Sequence, residues 1–302
     1  MKKIIFAGLV FVSTLTYAQN ETYIIKNLKI NDELSQYGAV YQQGNKVFYS
    51  RYKTNFFGSV DKNRKDQTIF TLYEGEIDEG GEIINTKEFK SSDEFVFNSS
   101  TATFSSDGRY IYVTTNEEKR GDVYKHDDKT RNLRIERGEN VEGKGYRNFI
   151  PLSFCDPNYS YAHPAISPNG DYIYFTSNIP SAKGPTDIFR IKIEGDNKFG
   201  EPENLGDLIN SPRKEMFPTI SSDNVLYFSS DRARGVGGLD IYKCTIDENG
   251  TLGLPELMPQ PINSRGDDIC YILNKNGTEG YFSSNRVKGK GEDDIYYFKI
   301  KE

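Results

Sequence analysis

The sequence predicts an all-β fold in which four-stranded units close into one ring, a single β-propeller. Three observations carry that expectation. One strand-and-turn pattern recurs five times, most copies hold a strand that is apolar at nearly every position, and the first segment of the chain resembles the outer strand of a later copy. Recurrence of this kind dictates architecture, because a unit that cannot cover its own apolar faces must stack on its neighbours.

The copies follow in order. In the first, Ala39-Val40-Tyr41 passes Gly44-Asn45 into Val47 to Arg51, and Phe70 to Tyr73 comes after a long loop. The second reads Ala102-Thr103-Phe104, the turn Ser105-Ser106-Asp107-Gly108, Tyr110 to Asn116, then Asp122-Val123-Tyr124. In the third, His163 to Ile166 turns at Ser167-Pro168-Asn169-Gly170 into Tyr172 to Asn178 and reaches Asp187-Ile188-Phe189. The fourth runs from Phe217 to Ile220, turns at Ser221-Ser222-Asp223, and continues through Val225 to Arg232 to Leu239-Asp240-Ile241-Tyr242. The fifth holds Ile269 to Leu273, Asn276-Gly277, Gly280 to Arg286 and Asp294-Ile295-Tyr296. The turns at Asp107, Asn169, Asp223 and Asn276 stand 53 to 62 residues apart, and Asp-Gly or Asn-Gly supplies the positive φ that tight hairpins need.

A further stretch, Leu133 to Ile135 in one copy and Asn204 to Leu208 in another, is expected to be the fourth strand of its unit. Four short antiparallel strands with turn signals between them describe a propeller blade. The continuously apolar second strand, Tyr172 to Phe175 or Val225 to Phe228, fits a sheet covered on both faces, and no 3.6-residue period points to helices. The count is five blades, with six as the alternative if a degenerate unit lies between residues 51 and 99. Closure is readable as well: Lys26-Asn27-Leu28 to Asn31 resembles Glu203-Asn204-Leu205 to Asn210, and the last copy stops at Tyr297 to Ile300 with three strands. The first segment therefore completes the last blade and removes an open edge.

Composition narrows the function. With 44 acidic against 38 basic residues the chain carries a net charge of -6, the wrong sign for neutralising phosphates, so no nucleic-acid partner is expected. The 21 Tyr and 19 Phe exclude a disordered chain. Two histidines and three cysteines leave little for metal or thiol chemistry, and no cofactor is expected. Cys155, Cys244 and Cys270 are odd in number and unrelated in spacing, which is no disulfide framework, and nothing links His126 or His163 to them as an activating base.

The start of the chain reads as an export signal over residues 1–18, with the propeller over 19–302. Lys2 and Lys3 precede an apolar run from Ile4 to Val12, and Thr16-Tyr17-Ala18 fits the small-residue cleavage pattern. The run is about half the roughly 20 residues that span a bilayer, and no cysteine stands at the cut for lipid attachment. The expected product is exported, not membrane-spanning, and periplasmic, outer-membrane associated or secreted.

Gly237-Gly238-Leu239-Asp240-Ile241-Tyr242 and Gly184-Pro185-Thr186-Asp187-Ile188-Phe189, with His163 to Gly170 before them, resemble the WD-repeat-like propeller repeats of the TolB type. The resemblance covers the mature chain, strongly over units two to five and weakly over unit one. It implies a docking module of the Gram-negative cell envelope. Such propellers often precede an OmpA-like peptidoglycan-binding domain and sometimes serve type IX secretion and gliding machinery. Because the sequence ends at Glu302 without such a domain, the resemblance implies a free-standing exported propeller, a monomer or part of a hetero-complex.

Two sets of residues are candidates for the site. The recurrent Asp122, Asp187, Asp240 and Asp294 stand beside Gly-rich loops, where a carboxylate accepts backbone N–H bonds and fixes the turn. Standing a blade apart, they suit calcium poorly, since one ion takes six to eight oxygens. The loops between second and third strands, which share a face with the connections between blades, carry the basic excess: Arg51, Lys183, Arg232, Arg234, Arg286, Lys288 and Lys290, with Arg51, Arg232 and Arg286 read as equivalent positions. The loops between third and fourth strands, read to include Asp78, Glu79, Asp127, Asp128, Glu194, Asp247 and Glu248, are acidic. Clustered like charge steers encounters, so the expected function is non-catalytic docking on an envelope protein with an acidic surface or on an anionic glycan. The alternative is a glycan-binding propeller or a glycan hydrolase or lyase. An enzyme of that kind needs a carboxylate pair about 5 to 9 Å apart, for which Glu215, Asp267 and Asp268 are the candidates, with Arg213, Lys214 and Arg265 read as their surface ion-pair partners.

Overall fold

The computed structural model describes residues 22–55, 57–62, 68–89, 99–116 and 132–301. Their regular elements are all strands. β1 (Thr22–Asn27) opens the chain. Blade one holds β2 (Gln36–Tyr41), β3 (Lys46–Tyr52), β4 (Phe70–Ile77) and β5 (Ile83–Glu88). Blade two holds β6 (Ser99–Phe104), β7 (Tyr110–Thr115), β8 (Arg134–Val141) and β9 (Gly145–Pro151). Blade three holds β10 (Tyr161–Ile166), β11 (Tyr172–Ser177), β12 (Asp187–Gly195) and the short β13 (Lys198–Phe199) and β14 (Glu203–Asn204), both paired to β12. Blade four holds β15 (Glu215–Ile220), β16 (Val225–Ser230), β17 (Asp240–Thr245) and β18 (Glu256–Leu257), and blade five holds β19 (Asp268–Leu273), β20 (Glu279–Ser284) and β21 (Asp294–Lys301).

The fifth sheet is completed by the other end of the chain. Its order is β1-β21-β20-β19, with β1 antiparallel to β21 from Thr22 opposite Lys301 to Asn27 opposite Tyr296. The ring therefore has five four-stranded blades closed by the first strand, as expected, and no sixth unit is found among the described residues between 51 and 99. Each interface between neighbouring blades has its own apolar cluster. Leu226, Phe228 and Tyr242 meet Tyr174 and Ile188 between blades three and four, and Leu28, Val47 and Tyr49 meet Tyr281 and Ile295 where blade five joins blade one. Such two-sided packing is why the second strands are apolar throughout. In β7, β11, β16 and β20 the last five residues are all buried.

Blade two corrects one expectation. The strand beside β7 is β8, with Tyr110 opposite Glu139, so Leu133 to Ile135 leads into the third strand rather than the fourth. Asp122-Val123-Tyr124, and Asp127 and Asp128, lie outside the described residues. In the sequence they fall between β7 and β8, ahead of the third strand.

The inner strands share a further feature. Each has a register shift against the second strand of its blade, and at each shift one residue has positive φ: Gly38, Thr101, His163, Phe217 and Cys270. Such bulges bend the strand and re-aim its backbone. Here the freed N–H points back to the preceding blade around the ring, which for blade one is blade five. Thr101 N–H donates to Ser50 Oγ at 2.9 Å, His163 N–H to Thr114 Oγ1 at 2.9 Å and Gly38 N–H to Ser283 Oγ at 3.1 Å. Between blades three and four the acceptor is an imidazole: Phe217 N–H donates to His163 Nδ1 at 3.4 Å, and the same nitrogen lies 3.2 Å from Thr176 Oγ1.

Candidate functional site

The candidate site is the face that carries the second-to-third-strand loops and the connections between blades. Its scaffold is a set of side-chain clamps that repeat from blade to blade. Asp187 accepts the backbone N–H groups of Lys183 and Gly184 at 2.9 and 3.0 Å, Asp240 those of Val236 and Gly237 at 2.8 and 3.1 Å, and Asp294 those of Lys290 and Gly291 at 2.5 and 3.1 Å. All three carboxylates are buried. The loop so fixed lies on the connection to the following blade. A Cβ on Gly184 would strike the carbonyl of Arg213, one on Gly237 those of Ser264 and Gly266, and one on Gly291 those of Asp32 and Leu34. Glycine at these places is a requirement of close approach.

A second clamp escaped functional reading of the sequence. Asn31, Asn210 and Asn263 are buried, and each forms a two-way bridge to one residue of a third strand. Ile188 N–H donates to Asn210 Oδ1 at 2.8 Å while Asn210 Nδ2 donates to Ile188 C=O at 2.9 Å, and Asn31 with Ile295 and Asn263 with Ile241 repeat the pattern. The available signal is the recurring Ile-Asn pair, Ile30-Asn31, Ile209-Asn210 and Ile262-Asn263.

The basic residues divide into two kinds. Arg286 donates to Asp268 Oδ1 at 2.6 Å and to the carbonyls of Pro261 and Ile262, and lies over the Phe282 and Tyr296 rings at 4.8 Å. Arg232 takes the same place in blade four, bonding Glu215 and the Ile209 carbonyl and lying over Phe228 and Tyr242. These two lock a blade to the connection that enters it, and their guanidinium groups are occupied. Arg51 is not their equivalent. It faces Gln36 and Thr71 as Ser230 faces Glu215 and Asp240, two places earlier in the register, and pairs with Asp32 at 2.6 Å. Lys183 pairs with Asp207, and Lys290 Nζ donates to Leu28 C=O at 2.9 Å. Arg234 and Lys288 remain, exposed at the tips of their loops. Asp32, Glu33, Asp156, Asp207 and Asp267 come to the same face on the connections between blades, which makes it mixed in charge.

The carboxylates offered for catalysis are built into the scaffold. Glu215 and Asp268 have no exposed surface. Glu215 accepts Ser211 Oγ and Ser230 Oγ at 2.7 Å besides Arg232, and burial raises its pKa. Asp268 is held by Arg286 and by Ser264 N–H at 2.6 Å, and Asp267 by Leu239 N–H and Asn285 Nδ2. The ion-pair partners are thus Arg232 and Arg286, not the neighbouring Arg213, Lys214 and Arg265. The central channel, lined by residues such as Ala39, Ala102, Ala165, Pro164, Pro218 and Phe217, encloses about 70 Å³, small beside the roughly 300–1,000 Å³ of ordinary ligand pockets. His163 stacks on Phe217 with ring centres 3.9 Å apart, and burial pushes its pKa down to about 3. It is a neutral acceptor at physiological pH. Cys244 and Cys270 are buried, Cys155 is half-buried, and none is disulfide-bonded.

Comparison with known proteins adds the fold's relatives. No family model matches the chain, and no curated protein does. A TolB-type protein from Agrobacterium tumefaciens matches over 94% of this chain and 99% of its own, with a TM-score of 0.52 at 12% identity. The fold is that of a TolB-type propeller. A thermostable family-43 glycoside hydrolase matches over 91% of this chain and 96% of its own, TM-score 0.56 at 12% identity. TolB from Acinetobacter baumannii matches over 85% of this chain, TM-score 0.41 at 15% identity, and this chain covers 52% of that protein's length. At such identities the likeness is one of fold, which hosts both kinds of role.

Proposed function

We propose that this chain is an exported, non-catalytic docking propeller of the cell envelope, with residues 1–18 as its export signal and the loop face of residues 19–302 as its contact surface. The observation that carries the reading is the engagement of the buried acids. Glu215 and Asp268, the carboxylates best placed for glycan chemistry, are each saturated by an arginine, backbone N–H groups or serine hydroxyls. A general acid or nucleophile must instead be free to meet substrate. Docking needs only a stiff ring and exposed loop tips, and both are present. The fold's likeness to the TolB-type protein supports the reading. The likeness to a glycoside hydrolase is the reason to measure turnover beside binding.

The test is a crosslinking pulldown of residues 19–302 from the native envelope, run beside a glycan-turnover screen, with amino-terminal sequencing of the exported protein. A stable envelope partner, no turnover and a terminus at Gln19 are expected. Glycan turnover without a partner would overturn the assignment.

A further inference from the structure

The residues with positive φ point to where on the loop face a partner binds. Ten of the described residues other than glycine adopt it. Thr101, His163, Phe217 and Cys270 are the inner-strand bulges, and the first three donate their N–H groups to the preceding blade. Asn85, Asn148, Asn197 and Asn224 are asparagines, which tolerate this conformation better than other side chains. Two are left, Arg234 with φ 75° and Lys288 with φ 78°, and the fold accounts for neither.

They stand at the same place in consecutive blades, two residues after the locking Arg232 and Arg286. Val287-Lys288 forms the corner of a turn closed by Gly289 N–H to Arg286 C=O at 3.1 Å, and Ala233-Arg234 forms the matching corner in blade four. Positive φ at the third residue of such a turn calls for glycine. Glycine does occupy the next position in both loops, where a Cβ would meet Asp240 or Asp294. At the corner itself the sequence instead places a long cation twice. Both side chains are exposed, and among the described residues neither has a hydrogen bond or ion pair. Val287 beside Lys288 is 86% exposed. Backbone strain held at an exposed, unpartnered side chain is a mark of function rather than of folding.

We propose that Arg234 and Lys288 are the binding cations of this face, and that with Val287 they receive an acidic protein segment bearing at least one apolar side chain. This rests on the docking reading and deepens it. A protein segment fits better than an anionic polysaccharide because a polysaccharide would leave Val287 uncovered. The cations supply the encounter and the apolar contact supplies retention.

The experiment uses residues 19–302 and a fluorescein-labelled peptide of Glu-Glu-Leu repeats, followed by anisotropy. Wild-type binding weakens as salt rises. The double variant Arg234→Gly, Lys288→Gly is expected to bind the peptide at least about tenfold more weakly and to melt roughly 2–4 °C higher as the strain is released. The exchange variant Arg234→Lys, Lys288→Arg keeps the affinity. Equal peptide binding by wild type and the glycine variant would overturn the proposal. So would a lower melting temperature in the glycine variant, tighter binding of polygalacturonate or of phosphatidylglycerol vesicles than of the peptide, or self-association in sedimentation that is lost with the two cations. Equal capture of crosslinked envelope proteins by wild type and the glycine variant would sink this site while leaving docking intact. Glycan turnover would sink docking itself.

Discussion

Asp240 in blade four and Asp294 in blade five each hold a matching loop by two backbone N–H bonds, both on Oδ2 of Asp240 but one on each oxygen of Asp294, and only Asp294 of the two also receives a side-chain amide from the outer strand. Asn27 Nδ2, on β1, donates to Asp294 at 2.7 Å, as Asn204 does to Asp187 in blade three. In blade four that outer position, opposite Tyr242, is Leu257, and Asp240 Oδ1 is buried with no hydrogen-bond partner among the described residues. The difference teaches which part of the clamp is indispensable. The carboxylate holds its loop with two backbone bonds alone, and the outer-strand amide joins that loop to the sheet edge. In blade five the amide comes from the far end of the chain, so loop order and ring closure are one interaction.

The most drastic way to break the comparison is to remove β1. Deleting residues through Asn27 takes away the whole ladder to β21, the buried Tyr23 and the amide on Asp294. The expected loss is on the order of 5 kcal/mol or more, comparable with the whole net stability of a domain, and is read as loss of a cooperative unfolding transition. Replacing Glu256 and Leu257 of β18, a two-residue strand with both side chains exposed, by glycine is expected to cost about 1 kcal/mol. Equal losses would show that the two outer strands do the same work.

The locks come next. Arg286→Ala strands Asp268, which among the described residues keeps Ser264 N–H as its donor, so about 3–5 kcal/mol of destabilisation is expected. Arg232→Ala costs less, because Glu215 keeps two serine hydroxyls and a backbone N–H and its raised pKa makes protonation an escape. Urea midpoints measured side by side check the order, and a larger loss at Arg232 would refute it.

Blade four differs again at its inner strand, whose Phe217 N–H meets His163 of blade three. The unfolded histidine takes up a proton near pH 6.5, whereas the folded one stays neutral down to about 3. Its contribution is fully present above the unfolded pKa and is lost as pH falls toward the folded one, by about 1.4 kcal/mol per unit at most. Glu215, Asp240 and Asp293, whose pKa values burial raises, act in the opposite sense and lose stability as pH rises. The difference between wild type and His163→Gln isolates the histidine. The variant should show a flatter fall between pH 6.5 and 4, and parallel curves would remove the imidazole from the account.

The ring, its five units and its closure were legible because each rests on local pattern: hydrophobic continuity, turn residues and the Lys26 to Asn31 match. Blade two was misread at its third strand because β8, Arg-Ile-Glu-Arg-Gly-Glu-Asn-Val, hides its apolar face among charges, with Glu136 buried against Arg134 at 2.5 Å. The roles of the basic residues were not legible for another reason. Arg232 and Arg234 are two residues apart and alike in type, and what separates them is Glu215, which only the folded sheet brings beside Arg232. A trace does exist, since an acid opening the inner strand with an arginine 17 or 18 residues later occurs as Glu215 with Arg232 and Asp268 with Arg286. It gains meaning only once the strands are paired.

The smallest effect tests the comparison most directly. If the outer-strand amide strengthens the clamp, Leu257→Asn should supply it in blade four, because residue 257 faces Tyr242 as Asn27 faces Tyr296 and Asn204 faces Phe189. Leu257 is 37% exposed, so little apolar burial is given up, and an added hydrogen bond to the buried carboxylate is expected to contribute about 0.5–1.5 kcal/mol. The gain should vanish in a Leu257→Asn, Asp240→Asn double variant, since a hydrogen bond to Asp240 and not strand propensity is its source. The complementary Asn27→Leu should destabilise by about 0.5–1.5 kcal/mol, because Asp294 loses one hydrogen bond while Oδ2 keeps Lys290 N–H and Oδ1 keeps Gly291 N–H. A stabilised Asn27→Leu, or a Leu257→Asn gain that survives without Asp240, would show that the outer-strand amide does not strengthen the clamp.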